Sequence, residues 1–174
     1  DQGIVDYTWI ILGVAVGGAI GAIAARRVEM TGMPGLVALF NGFGGLASVT
    51  VAGAALFDSG VTTGTATTII LSILIGSVTF TGSLIAYGKL SETIPSQAVL
   101  FSGQRVVNGA ILLGIIIAAV IFSQNPESAT GSNAFWVVLG LSMLLGIMVV
   151  IPIGGADMPV VIALLNSYSG LAAC

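Results

Sequence analysis

Six runs without a charged side chain dominate this sequence: residues 7–25, 35–56, 66–88, 106–122, 135–153 and 160–174. A helix rises about 1.5 Å per residue, so roughly 20 such residues cross the approximately 30 Å of hydrocarbon in a bilayer. The first five runs suit that length, the fourth being slightly short, and the sixth is cut off at the last residue. All are too long and too evenly apolar for barrel strands, which alternate over about 10 residues. In lipid, a helix is then the form that satisfies every backbone N–H and C=O. The expected fold is all-α: a polytopic transmembrane helical bundle of about six spans, forming one domain over residues 1–174. Composition agrees, with 6% charged residues against about 25% in a water-facing domain.

The same scarcity excludes several functions. No basic cluster exists to hold nucleic acid. The one cysteine, Cys174, leaves no intrachain disulfide. The absence of histidine removes the commonest metal ligand and the commonest proton shuttle, and no metal site is expected. The opening DQGIVD is acidic where a signal peptide would be basic. A start without Met and an end within an apolar run suggest a piece of a longer chain.

The four basic residues set an orientation. Arg26 and Arg27 lie in the first link, while Lys89 and Arg105 flank the third. The second link has only Asp58, the fourth only Glu127, and the N-terminus Asp1 and Asp6. If the spans alternate, all four cations fall on one side, which the positive-inside rule makes cytoplasmic or its organellar equivalent. The link GGADMP (154–159), with its lone acid Asp157, falls on that side too.

Polar side chains recur at helical spacing inside the runs. Asn41, Gly44, Gly45 and Ser48 share one expected face of the second span; Ser72, Gly76, Thr79 and Ser83 share one of the third; Ala163, Asn166 and Gly170 share one of the sixth. Counted from Pro34, Lys89 and Pro159, the residues Asn41, Ser83 and Asn166 all lie roughly 10 Å inside the basic boundary. Such faces serve as glue between close-packed helices, or a carboxamide among waters carries protons without itself titrating. No acid or base lies in the middle of any span, which argues against a transporter driven by a carboxylate at depth. Asp157 suits the positive end of the helix dipole before the sixth span, with Pro159 in its first turn, a role compatible with a functional one. Arg26 and Arg27 read as topology anchors and Glu29 as a solvated loop acid. Arg105, at the start of the fourth helix beside Asn108, reads as a snorkelling cation.

Three stretches carry a resemblance. RVEMTGMPGLVALFNGFGGLA (27–47), FTGSLIAYGKL (80–90) and PIGGADMPVVIALLNSYSGLAA (152–173), in this order, resemble the membrane domain of the β subunit of proton-translocating NAD(P) transhydrogenase. The resemblance covers nearly the whole chain, and its third stretch is very specific. It implies an enzyme complex that moves hydride between NAD(H) and NADP(H), held on separate domains, and couples this to proton passage. The NADP(H) domain would follow these helices in the same chain. This sequence has no Gly-rich phosphate loop, so it is expected to bind no cofactor itself. Implied partners are the membrane helices and NAD(H)-binding domain of an α subunit, a second copy in a homodimer, and the lipid bilayer. The implied location is the bacterial or mitochondrial inner membrane, with the basic links on the cytoplasmic or matrix side.

By the same resemblance, Asn41, Ser83 and Asn166 belong to the proton path, and Asp157, Arg27 and Glu29 to the face that couples to the NADP(H) domain. Many family members carry a histidine where this chain has Asn41. With none here, the titrating group would come from a partner subunit or from the rest of the chain, or the path would use water. Composition alone allows a rival class, a non-enzymatic multi-pass channel or small-solute transporter.

Overall fold

The structure, a computed structural model, describes residues 7–56 and 61–172, with side-chain environments through residue 170. Asp1, Asp6, Asp58 and Cys174 lie outside them. The order is α1 (Thr8–Arg27), a 3-10 turn at Met30–Gly32, α2 (Met33–Ala55), α3 (Thr63–Leu90), α4 (Gln104–Gln124), α5 (Ala129–Val150), a second 3-10 turn at Gly155–Asp157, and α6 (Met158–Ala172). Among the described residues there is no strand. Among the described residues, five helices are long and apolar enough to cross a membrane; the 15 described residues of α6 are fewer than the roughly 20 that crossing needs.

From α2 to α6 each helix starts before its apolar run, because a run measures hydrocarbon, whereas a helix starts where its first turn can be satisfied. α3 starts at residue 63, after Thr62, whose Oγ1 accepts a hydrogen bond from the Thr65 N–H at 3.2 Å. α5 starts six residues before its apolar run, where Ser128 Oγ accepts from the Gly131 N–H at 2.9 Å. Such caps satisfy N–H groups that have no partner within the helix.

Two apolar clusters hold the bundle, one at each end. Ile69, Ile73, Ile115, Phe122, Phe135 and Val138 anchor the first, between α3, α4 and α5. Ala38, Ala86, Val150, Met158, Ile162 and Leu165 form the second, between α2, α3, α5 and α6. Between them, on the same helices, lies a waist of small and polar residues: Asn41, Ser77, Thr79, Ser83 and Ser142 are all buried. α1 stands apart, with no buried residue.

Close backbone approach builds that waist. A Cβ on Gly45 would lie 2.6 Å from the Gly76 carbonyl oxygen, and one on Gly76 would lie 2.6 Å from the Gly45 carbonyl oxygen. α2 and α3 therefore pack backbone on backbone, as small residues allow in lipid. Gly44, by contrast, is exposed with nothing near it, so the face that α2 buries runs through Ala38, Asn41, Gly42, Gly45, Val49 and Ala52.

Gly76→Ala should lower the stability of the assembled protein by about 1–3 kcal/mol, the usual cost of overpacking. Gly44→Ala should stay within about 0.5 kcal/mol, as surface changes do. Thermal unfolding in detergent measures both, and equal midpoints for the two variants would contradict the close seam.

Candidate functional site

Asn41 and Ser83 meet at the waist. The Asn41 Nδ2 donates to Ser83 Oγ at 2.9 Å, between residues 42 apart in sequence. Gly42 makes the contact possible, since a Cβ there would sit 3.2 Å from the Ser83 Cβ. On the other side of the carboxamide, the Ser169 hydroxyl of α6 lies 3.4 Å from Asn41 Oδ1 and donates to the Asn166 carbonyl at 2.9 Å. With one proton on Ser169, the shorter bond takes most of it. Asn41 Oδ1 thus retains acceptor capacity within the bundle.

Asn166 itself is exposed on α6. Its side chain lies beside, and not on, the stripe of Leu165 and Ser169 that faces the bundle. α6 turns Met158, Ile162 and Leu165 inward, so the face holding Ala163, Asn166 and Gly170 looks away from the bundle. Ser169, which sequence reasoning passed over, supplies the third polar group. Elsewhere along the same helices, the buried hydroxyls of Ser77, Thr79 and Ser142 have no hydrogen-bond partner among the described residues. Each is a donor and acceptor available to water.

Arg27, Glu29, Lys89, Arg105 and Asp157 lie at one end of the bundle. Val28, Thr31 and Gly32 line a cavity of about 280 Å³ with Tyr87, Leu90 and Ser91, which brings the first link beside the end of α3. Arg27, Glu29 and Asp157 are all exposed there. Asp157 closes the 3-10 turn directly before α6, its N–H donating to the Gly154 carbonyl at 3.1 Å. The glycines of GGADMP have a steric reason: a Cβ on Gly155 would lie 3.0 Å from that of Ser96, and the Gly155 N–H donates to the Ser96 carbonyl at 2.8 Å. The link is seated on the loop that follows α3.

Lys89 is the unexpected member of this end. Sequence reasoning counted it only as a topology signal, yet it is 1% exposed. Its Nζ donates to the carbonyls of Gln97 at 2.9 Å, Ile151 at 2.6 Å and Ile153 at 2.7 Å. The readable signal was its place on the buried stripe of α3, after Thr79, Ser83 and Ala86. Nearby, Gln104 Nε2 donates to the Met148 carbonyl at 3.1 Å. Pro152 explains the need, because it has no N–H with which to continue the ladder from Met148. Among the described residues, no cluster of three or more metal-ligating side chains exists.

These features define a polytopic helical membrane protein, with a polar contact sealed between its helices and a built-up surface at its basic end. The family model of the NAD(P) transhydrogenase beta subunit matches residues 1–174, and the chain belongs to that family. Its relatives include two sequences of NAD(P) transhydrogenase subunit beta from Rhodospirillum rubrum, one of them from a designated strain. Each is 41% identical over 176 aligned residues, which cover 96% of this chain and 37% of the relative. The chain thus spans 37% of the length of those relatives.

A double-mutant cycle of Asn41→Ala and Ser83→Ala should return a coupling energy of about 0.6–1.7 kcal/mol, the range measured for hydrogen bonds between membrane helices. Denaturation of the assembled protein in detergent supplies the four stabilities, and strict additivity would show that the bond contributes nothing.

Proposed function

We propose that this chain is the membrane part of a proton-translocating NAD(P) transhydrogenase, in which proton passage through the helices is coupled to hydride transfer between NAD(H) and NADP(H) bound on separate domains. The observation that carries the reading is the Asn41–Ser83 hydrogen bond, sealed inside a membrane bundle of a chain in this family. A buried carboxamide and hydroxyl are costly in lipid unless they serve packing or passage. Thr79, one turn before Ser83 on the face of α3 that meets Gly45, adds a further buried hydroxyl to this reading.

In this reading Asn41 and Ser83 hold and orient water in the proton path. Neither titrates near neutral pH, so the group that does comes from the α subunit or from the rest of the β chain. Asn166 contributes from the outward side of α6, toward a helix of one of those parts. Asp157, Arg27 and Glu29 form the face that meets the NADP(H) domain, which follows these helices in the chain. The fragment holds neither nucleotide; the whole enzyme takes NAD(H) and NADP(H). Its partners are the α-subunit helices and NAD(H) domain, a second copy of the complex, and lipid. The basic end faces the cytoplasm or the mitochondrial matrix, and the membrane is a bacterial or mitochondrial inner membrane.

A proton about 10 Å below the surface cannot touch a nicotinamide held outside the membrane. Coupling is therefore conformational: proton occupancy biases the inner-face links, and the links bias NADP(H) affinity. Linkage requires the reverse effect at equilibrium.

Proton pumping by the full complex in liposomes, driven by NADPH and an NAD analogue, tests this. Asn41→Leu and Ser83→Leu should each reduce pumping by about 10-fold or more, the scale of a step that loses about 1.4 kcal/mol of stabilisation, with the complex still assembled. Asp157→Asn should lower the protons moved per hydride while the helices remain assembled. Wild-type pumping in all three would remove this chain from the proton path.

A further inference from the structure

We infer that Lys89 is a positioning residue for coupling, the group through which α3 holds the GGADMP link at its working place on the inner face. This rests on the function proposed above and adds to it a residue with no proton-path role of its own.

The argument begins with unsatisfied carbonyls. The last carbonyls of a helix lack intrahelical partners, and here the chain past α5 gives its N–H groups away. The Gly155 N–H, four residues after Ile151, goes to Ser96; the Asp157 N–H, four residues after Ile153, goes to Gly154. The oxygens of Ile151 and Ile153 thus take no N–H from the four-residue ladder, at the negative end of the α5 dipole; that of Ile151 accepts from the Val99 N–H at 3.3 Å and still has a lone pair to offer. An ammonium has three donors and no acceptor. Lys89 spends two of them on these oxygens and the third on Gln97 in the loop after α3. All three bonds run to carbonyls, none to a carboxylate. One side chain thus joins α3, the loop 91–103 and the link 151–157.

Two details tighten the joint. Ser96 Oγ donates to the Lys89 carbonyl at 3.0 Å while the Ser96 carbonyl accepts from the Gly155 N–H. Glu92, with φ 58, turns the chain in the left-handed region, and the Ile94 N–H returns to the Gly88 carbonyl at 2.9 Å. The loop is folded back under the helix that carries the lysine.

The same helix carries Ser83. Six residues separate it from Lys89, about 9 Å along the axis and roughly 120° around it. Ser83 therefore faces α2 and Asn41, while Lys89 faces the end of α5. A rotation or slide of α3 that accompanies a change at the Asn41–Ser83 contact moves the ammonium, and with it the backbone leading to Asp157. A snorkelling lysine would reach water and hold nothing.

The test uses the full complex in liposomes, with NADPH and an NAD analogue. Lys89→Met keeps the apolar stem and removes the donors. The assembled variant should shift the KM for NADPH by at least about fivefold, the lower end of allosteric coupling, leave that for the NAD analogue unchanged, and lower the protons moved per hydride. A purely structural lysine would not separate the two nucleotides. If Lys89→Met fails to assemble, Lys89→Arg is judged by the same readouts, since a planar guanidinium keeps the charge but cannot place three donors on these oxygens. Wild-type KM values and pumping in the assembled variant overturn the inference. Asp157→Asn separates the levels: if it uncouples while the Lys89 variant is normal, only the role of Lys89 falls; if neither changes anything, the coupling surface itself lies elsewhere.

Discussion

The contact between Gly45 and Gly76 is the constraint on which the interior depends. Where two backbones pass so closely that neither position has room for a methyl group, side chains one or two turns away are brought together. Asn41 lies four residues before Gly45 and Ser83 seven after Gly76, and the seam leaves them at hydrogen-bonding distance. Lipid gives helices no hydrophobic reason to associate, so close packing and interhelical hydrogen bonds must do it. The polar waist is therefore both what the seam permits and part of what holds it closed.

That economy bears on chemistry. A carboxamide and a hydroxyl can pass a proton along a hydrogen-bonded chain only if donors and acceptors reverse in turn, and neither stores charge. On the function proposed, Asn41 in place of a titrating side chain would make this part of the bundle a conduit. Asn41 Oδ1, only loosely engaged by Ser169, keeps a lone pair for a further donor. Asn166 is exposed on the flank of α6, where the proposed function would have a helix from outside this chain complete the polar surface.

Much of this was legible in the sequence, for identifiable reasons. Spans are legible because hydrocarbon thickness fixes their length, and depth is legible because helical rise is constant, so Asn41 and Ser83 could be set at one level from Pro34 and Lys89. Rotation about the helix axis was not. α6 has apolar residues on more than one face, and only packing on Val150 and Ala86 decides that Leu165 points in and Asn166 out. Gly44 failed for the same reason: it shares the spacing of Gly45 but not the side that meets α3. The apolar runs do not reveal the helix starts, because Thr62 and Ser128 cap polar turns beyond them. Lys89 was hidden by a sound rule, since a cation at the end of a span ordinarily marks topology; nothing local reveals that carbonyls 62 and 64 residues away wait for it.

The burial of that ammonium also limits how the inner face can work. A charge held by neutral carbonyls has no partner to neutralise it, and its three bonds make sense only as a set. Lose one, and the remaining two must hold a cation that water would solvate better. The joint between α3, the loop and the link should therefore have few intermediate states: either all three carbonyls stay on Nζ, or the group opens toward solvent. A bistable contact of this kind, rather than a graded flexing of helices, is what converts a small displacement into a change of affinity elsewhere. The three bonds of Lys89 sit between the helix that touches Asn41 and the backbone that carries Asp157, where the proposed coupling would need such a contact.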